Sequence, residues 1–427
     1  MGDSVFPAGH RPDFHAVVVG AGVIGICCAY VLARRGARVT VLERGEIGRG
    51  ASYGNSGAVA IGHTPINKPG RVQQALRSLL DPLSPLYVPP RLDPRLAMWL
   101  WRFSRKCTQG HLEYCMQVLG ALGHATRELF AEWIEREKLE CCYRSEGYYE
   151  LYRTGRGLES AKSEARLIGR SGFRTETLSG DELREREPAI NAEVLGGVFH
   201  PEAATLHPYR FVLELAERAR RYGAAFRTGA EVASVLTEGG KARGVRTREG
   251  ETVAAQAVVL ATGAYGGPLT RALGLHLPLQ AAKGYHRDCE PGDGRAPLLR
   301  HACVLGEHSV FCSPMDGFVR FAGTMEFSGI NHEIRRRRLE QLTNAAKRFF
   351  HGLEDIKFRS EWCGLRPCLP DGLPAVGPAS GYEGLFIATG HAMLGLTLGP
   401  VTARIIAGCI LDGAPGMDIA ALRPERF

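Results

Sequence analysis

The chain has 427 residues, 44% hydrophobic and 23% charged, with a formal net charge of +8. That length suffices for two intertwined domains and a large core, and the composition is that of an ordinary soluble globular protein. No aromatic-and-basic pattern points to nucleic acid, and no run of about 18 apolar residues could span a membrane.

The modest positive charge suits an average basic enzyme better than a dedicated anion or membrane binder. The 12 cysteines include no C-x-x-C and no Cys/His spacing for zinc, so no metal is expected. Residues 1–11 lack the apolar segment of a signal peptide, and the free thiols suggest a reduced, cytoplasmic protein.

Residues 16–19 are an apolar run of buried-strand type that stops at Gly20. Gly20, Gly22 and Gly25 have the G-x-G-x-x-G spacing. The first makes a tight turn, the second admits a pyrophosphate, and the third lets helix pack on strand. Ala21, Val23 and Ile24 complete the turn, and the predicted helix, about 23–35, has no acid in its first turn. Its N-terminal dipole and N–H groups are left for an anion. Cys27 and Cys28 fall inside this helix as packing residues.

Gly36 ends the helix, residues 38–42 form a second strand, and Glu43 follows Gly25 by 18 residues. A carboxylate there accepts ribose hydroxyls and argues against a 2′-phosphate. The unit therefore reads as a dinucleotide site that does not take NADP.

Residues 48–57 form a loop of glycine and small polar residues, with Ser52, Asn55 and Ser56 offering hydrogen bonds. Residues 76–103 are rich in proline, leucine, arginine and aromatics. They read as a packed irregular segment with a short helix, or alternatively as a membrane-interface element. Helices are expected over 113–137 and 210–221, then short strands at 225–227, 232–236, 243–247 and 251–253. Residues 257–264 are a buried strand ending in Thr262-Gly263, which returns the chain to its first sheet.

Residues 278–324 are strand-rich, and Arg335 to Arg338 open a helix whose arginines read as a solvated face. Residues 362–372 look like a turn-rich loop, 385–388 a strand, and 400–411 the closing helix. No internal repeat is present.

Four of these pieces, in this order, are together similar to the FAD-dependent D-amino-acid dehydrogenase and oxidase family. They are Gly20 to Glu43, the loop 50–57, residues 258–263, and Gly364-Leu-Arg-Pro367 through Gly399. The resemblance covers nearly the whole chain. It implies an α/β protein with a Rossmann-like FAD-binding domain. A second, α+β substrate domain would be built on a mixed, largely antiparallel sheet. The expected division is 14–90, 205–272 and 360–427 for FAD, and 91–204 and 273–359 for substrate.

The resemblance also assigns residues. Gly20, Gly22 and Gly25 would face the pyrophosphate, and Glu43 the ribose, with Arg44 beside it. Gly50, Ala51, Ser52, Asn55 and Gly57 match the loop past the phosphates and ring. Val232 matches the strand that meets adenine, and Ala261, Thr262 and Gly263 lie near the pyrophosphate. Gly390, Gly395, Leu396 and Thr397 match the backbone at the flavin pyrimidine edge. Arg366 matches the arginine that grips an amino-acid carboxylate, for which a planar fork is suited. Tyr285 could share that carboxylate or be a core tyrosine. His63 and His391 are expected to be satisfied structural histidines.

The implied reaction is oxidation of a C–N bond, with the α-hydrogen passed as hydride to flavin N5 and Arg366 fixing the carboxylate. The product is an imine, cyclic if the substrate resembles D-proline or D-hydroxyproline. Related oxidases carry a lysine near the flavin, and Arg320 falls at that place here. This favours a dehydrogenase with a quinone or other electron acceptor. Cys363 and Cys368 leave covalent flavin open. The alternatives are a 2-hydroxy-acid dehydrogenase, or the flavin subunit of a larger electron-transfer complex with a partner subunit. Peripheral contact with the inner membrane face remains open as well.

Overall fold

The computed structural model describes residues 11–78, 81–290 and 298–427. The leader reading for residues 1–11 falls almost wholly outside these, as do Leu79 and Leu80 of the segment 76–103.

The first sheet has six strands in the order Ala375–Pro378, Leu385–Thr389, Ala257–Leu260, Arg11–Val19, Ala37–Leu42 and Ala225–Arg227. All neighbours are parallel except the first pair. Its central strands are continuous apolar runs because both faces are covered. Helices Val23–Arg34, Pro208–Arg221 and Gly395–Leu411 pack one face through Ile26, Leu215 and Ile405. A three-stranded antiparallel sheet, Val232–Glu238, Lys241–Thr247 and Thr252–Ala254, covers the other through Val235, Val245 and Val253.

Helix Val23–Arg34 is apolar on nearly all sides because it is enclosed, with Cys27 and Cys28 fully buried. It stops before Gly36, whose φ of +84° suits a left-handed helix end.

The second sheet has nine strands and is largely antiparallel. Its order is Lys357–Cys368, Gln280–Glu290, Val319–Glu326, Val310–Pro314, Ala302–Leu305, Tyr148–Tyr152, Gly196–His200 and Glu176–Ser179, with Leu86–Tyr87 added beside Val319–Glu326. Helix Arg336–Lys347 packs one face through Leu339 and Leu342, against Tyr285 and Phe321. The opposite face roofs a cavity. Leu86–Tyr87 and Lys357–Cys368 both belong to this sheet, and the boundary expected at 360 lies within the latter strand.

Three local expectations are corrected. The segment 362–372 is not mainly a loop: its first seven residues continue the strand Lys357–Cys368. Pro367 and Gly364 suggested turns, but this is an edge strand, where a proline costs no ladder hydrogen bond. The last helix begins at Gly395 and carries Pro400 inside it. Arg338 is buried, donating from Nη1 to the carbonyl of Pro82 at 2.5 Å, so the arginine run is only partly a solvated face.

The segment 76–103 packs as the irregular reading expected. Helix Pro94–Arg105 is capped by Asp93, whose carboxylate accepts from the Arg95 and Leu96 N–H groups. It buries Trp99 and Phe103 and exposes Met98 and Trp101. Among the described residues no helix is long and apolar enough to cross a membrane.

Candidate active site

A cavity of about 900 Å³ lies between the carboxyl edge of the first sheet and the open face of the second. At its nucleotide end Gly20 has φ +104°, and a Cβ there would stand 2.6 Å from the Ala261 carbonyl oxygen. A Cβ on Gly25 would lie 1.8 Å from the Gly20 oxygen. Both positions exclude any side chain. Gly22 caps helix Val23–Arg34 without a side-chain bond, and no acid occupies the first turn. The Ser52 hydroxyl accepts from the Val23 N–H at 2.9 Å, tying the loop 50–57 to that helix end.

Glu43 is fixed by two backbone donors, Ala21 N–H at 2.8 Å and Gly45 N–H at 2.9 Å, and its side chain lines the cavity. The Arg44 guanidinium lies 3.6 Å over the Tyr265 ring. All the residues expected at the cofactor line this one cavity except Ala21, Gly25, Gly57 and Gly390. Those four act through backbone. Ala21 holds Glu43, and Gly57 and Gly390, at φ +76° and +81°, pass too close to Leu206 and Leu369 for a Cβ.

The second sheet grips the loop 50–57 from above by three consecutive carbonyls. His286 Nδ1 donates to Gly54 O at 2.7 Å, Arg320 Nη1 to Asn55 O at 3.0 Å, and Ser313 Oγ to Ser56 O at 2.5 Å. Arg320 also makes a two-pronged pair with Asp288, at 2.8 and 2.9 Å. Arg320 is therefore a neutralised, buried strut that does not line the cavity. Burial, helped by Arg320, pushes the His286 imidazole down to about 4.

At the other end Arg366 crosses two strands. Its guanidinium lies over Gly284, where a Cβ would stand 2.4 Å from Cζ. Nη1 donates to the Thr324 carbonyl at 2.6 Å. The reach depends on a β-bulge: two residues, Thr324 and Met325, oppose Gly284 alone, and Thr324 has φ +62°. Among the described residues no carboxylate pairs with Arg366, and burial lowers its pKa. A half-buried guanidinium that donates only to a carbonyl is suited to receive an anion from the cavity.

Tyr285 borders the cavity, but its hydroxyl is held on the far side from Arg366. Successive strand residues face opposite sides, so Tyr285 points away from Gly284 and the guanidinium above it. Its hydroxyl donates to Glu326 Oε2 at 2.9 Å, within the helix-covered core. The Cys363 and Cys368 thiols do not line the cavity. Cys363 donates to His332 O at 3.3 Å, and Cys368 packs near Trp99. His391 is satisfied by Thr402 Oγ1 at 2.9 Å and held neutral by burial, which lowers its pKa to about 3. His63 lines the cavity with Nδ1 2.6 Å from Thr64 O.

Most of the residues missed by sequence reasoning sit on the second sheet. Trp362 lines the cavity with its ring over Gly364 and stacked on His286 at 5.3 Å. The paired glycines, Gly284 opposite Gly364, were the available signal, since only glycine leaves room for large groups lying flat on a strand. Lys68, Glu150 and Glu164 also line the cavity and carried no motif.

A glycine turn with no room for Cβ, a helix start free of acid, a backbone-held acid and a long cavity fit an extended dinucleotide carrying a flavin. The fold and site define a flavin-dependent oxidoreductase. The chain belongs to the FAD dependent oxidoreductase family, whose model matches residues 15–408, and FAD is its cofactor. It is 32% identical over 419 residues to a D-amino acid dehydrogenase of Sinorhizobium medicae, covering 96% of this chain and 99% of the relative. A D-amino acid dehydrogenase of Vibrio vulnificus is 30% identical over 415 residues, with 95% and 98% covered. Among solved structures, glycine oxidase from Bacillus cereus superimposes with a TM-score of 0.76 at 22% identity, over 96% of this chain and 97% of that one. L-Proline dehydrogenase from P. horikoshii gives 0.76 at 19%, with 98% of each chain covered.

Proposed function

We propose that this enzyme oxidises a D-amino acid, or a cyclic amine of the D-proline or D-hydroxyproline type, to the corresponding imine. The observation that carries the reading is Arg366, a half-buried guanidinium on the cavity face that pairs with no carboxylate among the described residues. The names of the relatives, D-amino acid dehydrogenases over almost the full length, support the substrate class.

In this reading the glycine turn, Glu43, the loop 50–57 and the start of helix Gly395–Leu411 hold FAD along the cavity. Arg366, braced by Thr324 and Gly284, takes the substrate carboxylate in a bidentate pair and so fixes the α-carbon. The amine would lose one proton to solvent, and the bound flavin would supply the two-electron acceptor for the α-hydrogen that Arg366 positions. No side chain is assigned as an obligatory base. The discontinuous division into FAD-binding and substrate domains belongs to this reading.

The electron acceptor is a quinone or another carrier. Peripheral membrane contact is supported by the exposed Leu92, Met98 and Trp101 beside Arg102 and Arg105.

The test is an anaerobic absorbance scan of the purified holoenzyme against D- and L-amino acids, D-proline, hydroxyprolines and 2-hydroxy acids. Bleaching by D-amino acids or cyclic amines is the expected result. Bleaching by hydroxy acids alone overturns it, and bleaching by nothing points to a missing partner subunit.

A further inference from the structure

The roof of the cavity beyond Arg366 has a definite polarity. Ala322, Phe311, Val304 and Glu150 stand directly opposite one another on four neighbouring strands and all line the cavity. Three strand spacings separate the first from the last, ~14 Å in all. The Arg366 guanidinium already reaches Thr324, two residues along the same strand as Ala322. From the anion-binding end this roof is thus apolar for three strands and then ends in a carboxyl group.

Glu150 is the only member of that row that can ionise, and its surroundings leave it short of a partner. Tyr152 donates to its Oε2 at 3.1 Å. Its Oε1 stands 3.6 Å from His200 Nε2, an atom that is buried and has no hydrogen-bond partner. Burial holds His200 down to about 4, so it brings no positive charge at neutral pH. Burial and the Lys68 charge likewise lower His63.

Lys68 is committed to Glu164, at 2.5 Å, and the Arg71 charge is also felt at Glu164. Among the described residues no lysine or arginine forms an ion pair with Glu150. Burial and then Glu164 raise its pKa against the opposing pull of Lys68, His63 and the Tyr152 hydrogen bond, as expected of a carboxyl group with no cation paired directly to it. Burying it charged is unfavourable unless a cation compensates.

We propose that this cavity binds a D-amino acid with a long basic side chain. Its carboxylate would sit on Arg366, its methylenes on Ala322, Phe311 and Val304, and its terminal ammonium or guanidinium against Glu150. The inference rests on the amino-acid reading above and adds the side chain. An apolar stripe ending in a carboxylate complements a side chain that is itself an apolar stem with a charged tip.

The test is anaerobic stopped-flow reduction of the holoenzyme by D-lysine and D-arginine against D-norleucine and D-methionine, which have similar stems and no charge. The wild-type enzyme should favour the basic pair by about tenfold or more in the rate-to-affinity ratio. In Glu150→Gln that preference should collapse toward unity, the uncharged substrates serving as the internal reference. Equal or reversed preference in the wild type overturns the subsite, whether or not the variant folds. So does a preference that survives in Glu150→Gln. Preference for a ring hydroxyl over D-lysine would reassign Glu150 to a neutral donor and equally refute the basic side chain. If no amino acid reduces the flavin, the proposed function itself falls, and the subsite with it.

Discussion

Replacing Arg366 by alanine separates substrate binding from folding. In the free protein the guanidinium is half-buried and donates to one carbonyl, Thr324 O, at 2.6 Å, and it pairs with no carboxylate among the described residues. Its removal should not weaken the fold and can strengthen it, because a partly desolvated charge without a carboxylate partner is lost. With substrate present the balance reverses. A buried carboxylate that loses its charged partner costs about 2–5 kcal/mol. At about 1.4 kcal/mol per tenfold, affinity falls about thirtyfold to several-thousandfold.

The assay is stopped-flow flavin reduction against substrate concentration, with flavin content and Tm measured on the same preparation. The expected outcome is full flavin occupancy, an equal or higher Tm, and a dissociation constant raised by that factor. Retained flavin with a dissociation constant within about threefold of wild type refutes the assignment. A Tm that drops steeply shows a structural arginine. Gly284→Ala probes the same contact from below, since its Cβ would stand 2.4 Å from the guanidinium carbon. Overpacking of this kind costs about 1–3 kcal/mol, and here it should appear as weaker substrate binding.

Asp288→Asn leaves Arg320 as a buried cation without its two-pronged partner, at a cost of about 3–5 kcal/mol in stability. Because Arg320 also holds Asn55 O, a lower flavin-to-protein absorbance ratio should accompany the lower Tm. Tyr285→Phe removes one donor from Glu326 and should cost about 1–3 kcal/mol in urea titrations while leaving the substrate dissociation constant near wild type. A large change in that constant would return Tyr285 to the substrate site. Burial lowers His391 to about 3, and His286 and His200 to about 4. A depressed pKa contributes stability above the unfolded value near 6.5 that is lost as pH falls through the folded values. The urea midpoint should therefore decline from about pH 6.5 toward 4, and His391→Gln should make that slope shallower by about 1.4 kcal/mol per pH unit. An unchanged slope would show that His391 is protonated in the native state.

The nucleotide half of the molecule was legible because its constraints are local. Gly20, Gly22, Gly25 and Glu43 lie within one strand–helix–strand unit, and Gly20, Gly25 and Glu43 are each fixed by a backbone contact inside that unit or at its edge. Arg366 was legible only through its motif, since nothing in Gly364-Leu-Arg-Pro367 says that the side chain crosses two strands to a bulge at Thr324. The substrate half was opaque for the same reason. Whether a residue on a strand faces the cavity or the helix depends on register, and a one-residue shift reverses the answer.

Tyr285 and Gly284 are neighbours with opposite fates on that account. One is tied into the core by Glu326, and the other clears the space that Arg366 fills. Glu150 was invisible because the residues opposite it, Val304 and Phe311, lie more than 150 positions away in sequence and meet it only through the sheet. Arg320 shows the limit of transferring a role by position. A cation at a matching place has no free charge to offer once Asp288 accepts two of its hydrogen bonds. Its effect on chemistry must then run through the loop carbonyl it holds, which is a matter of geometry rather than of field.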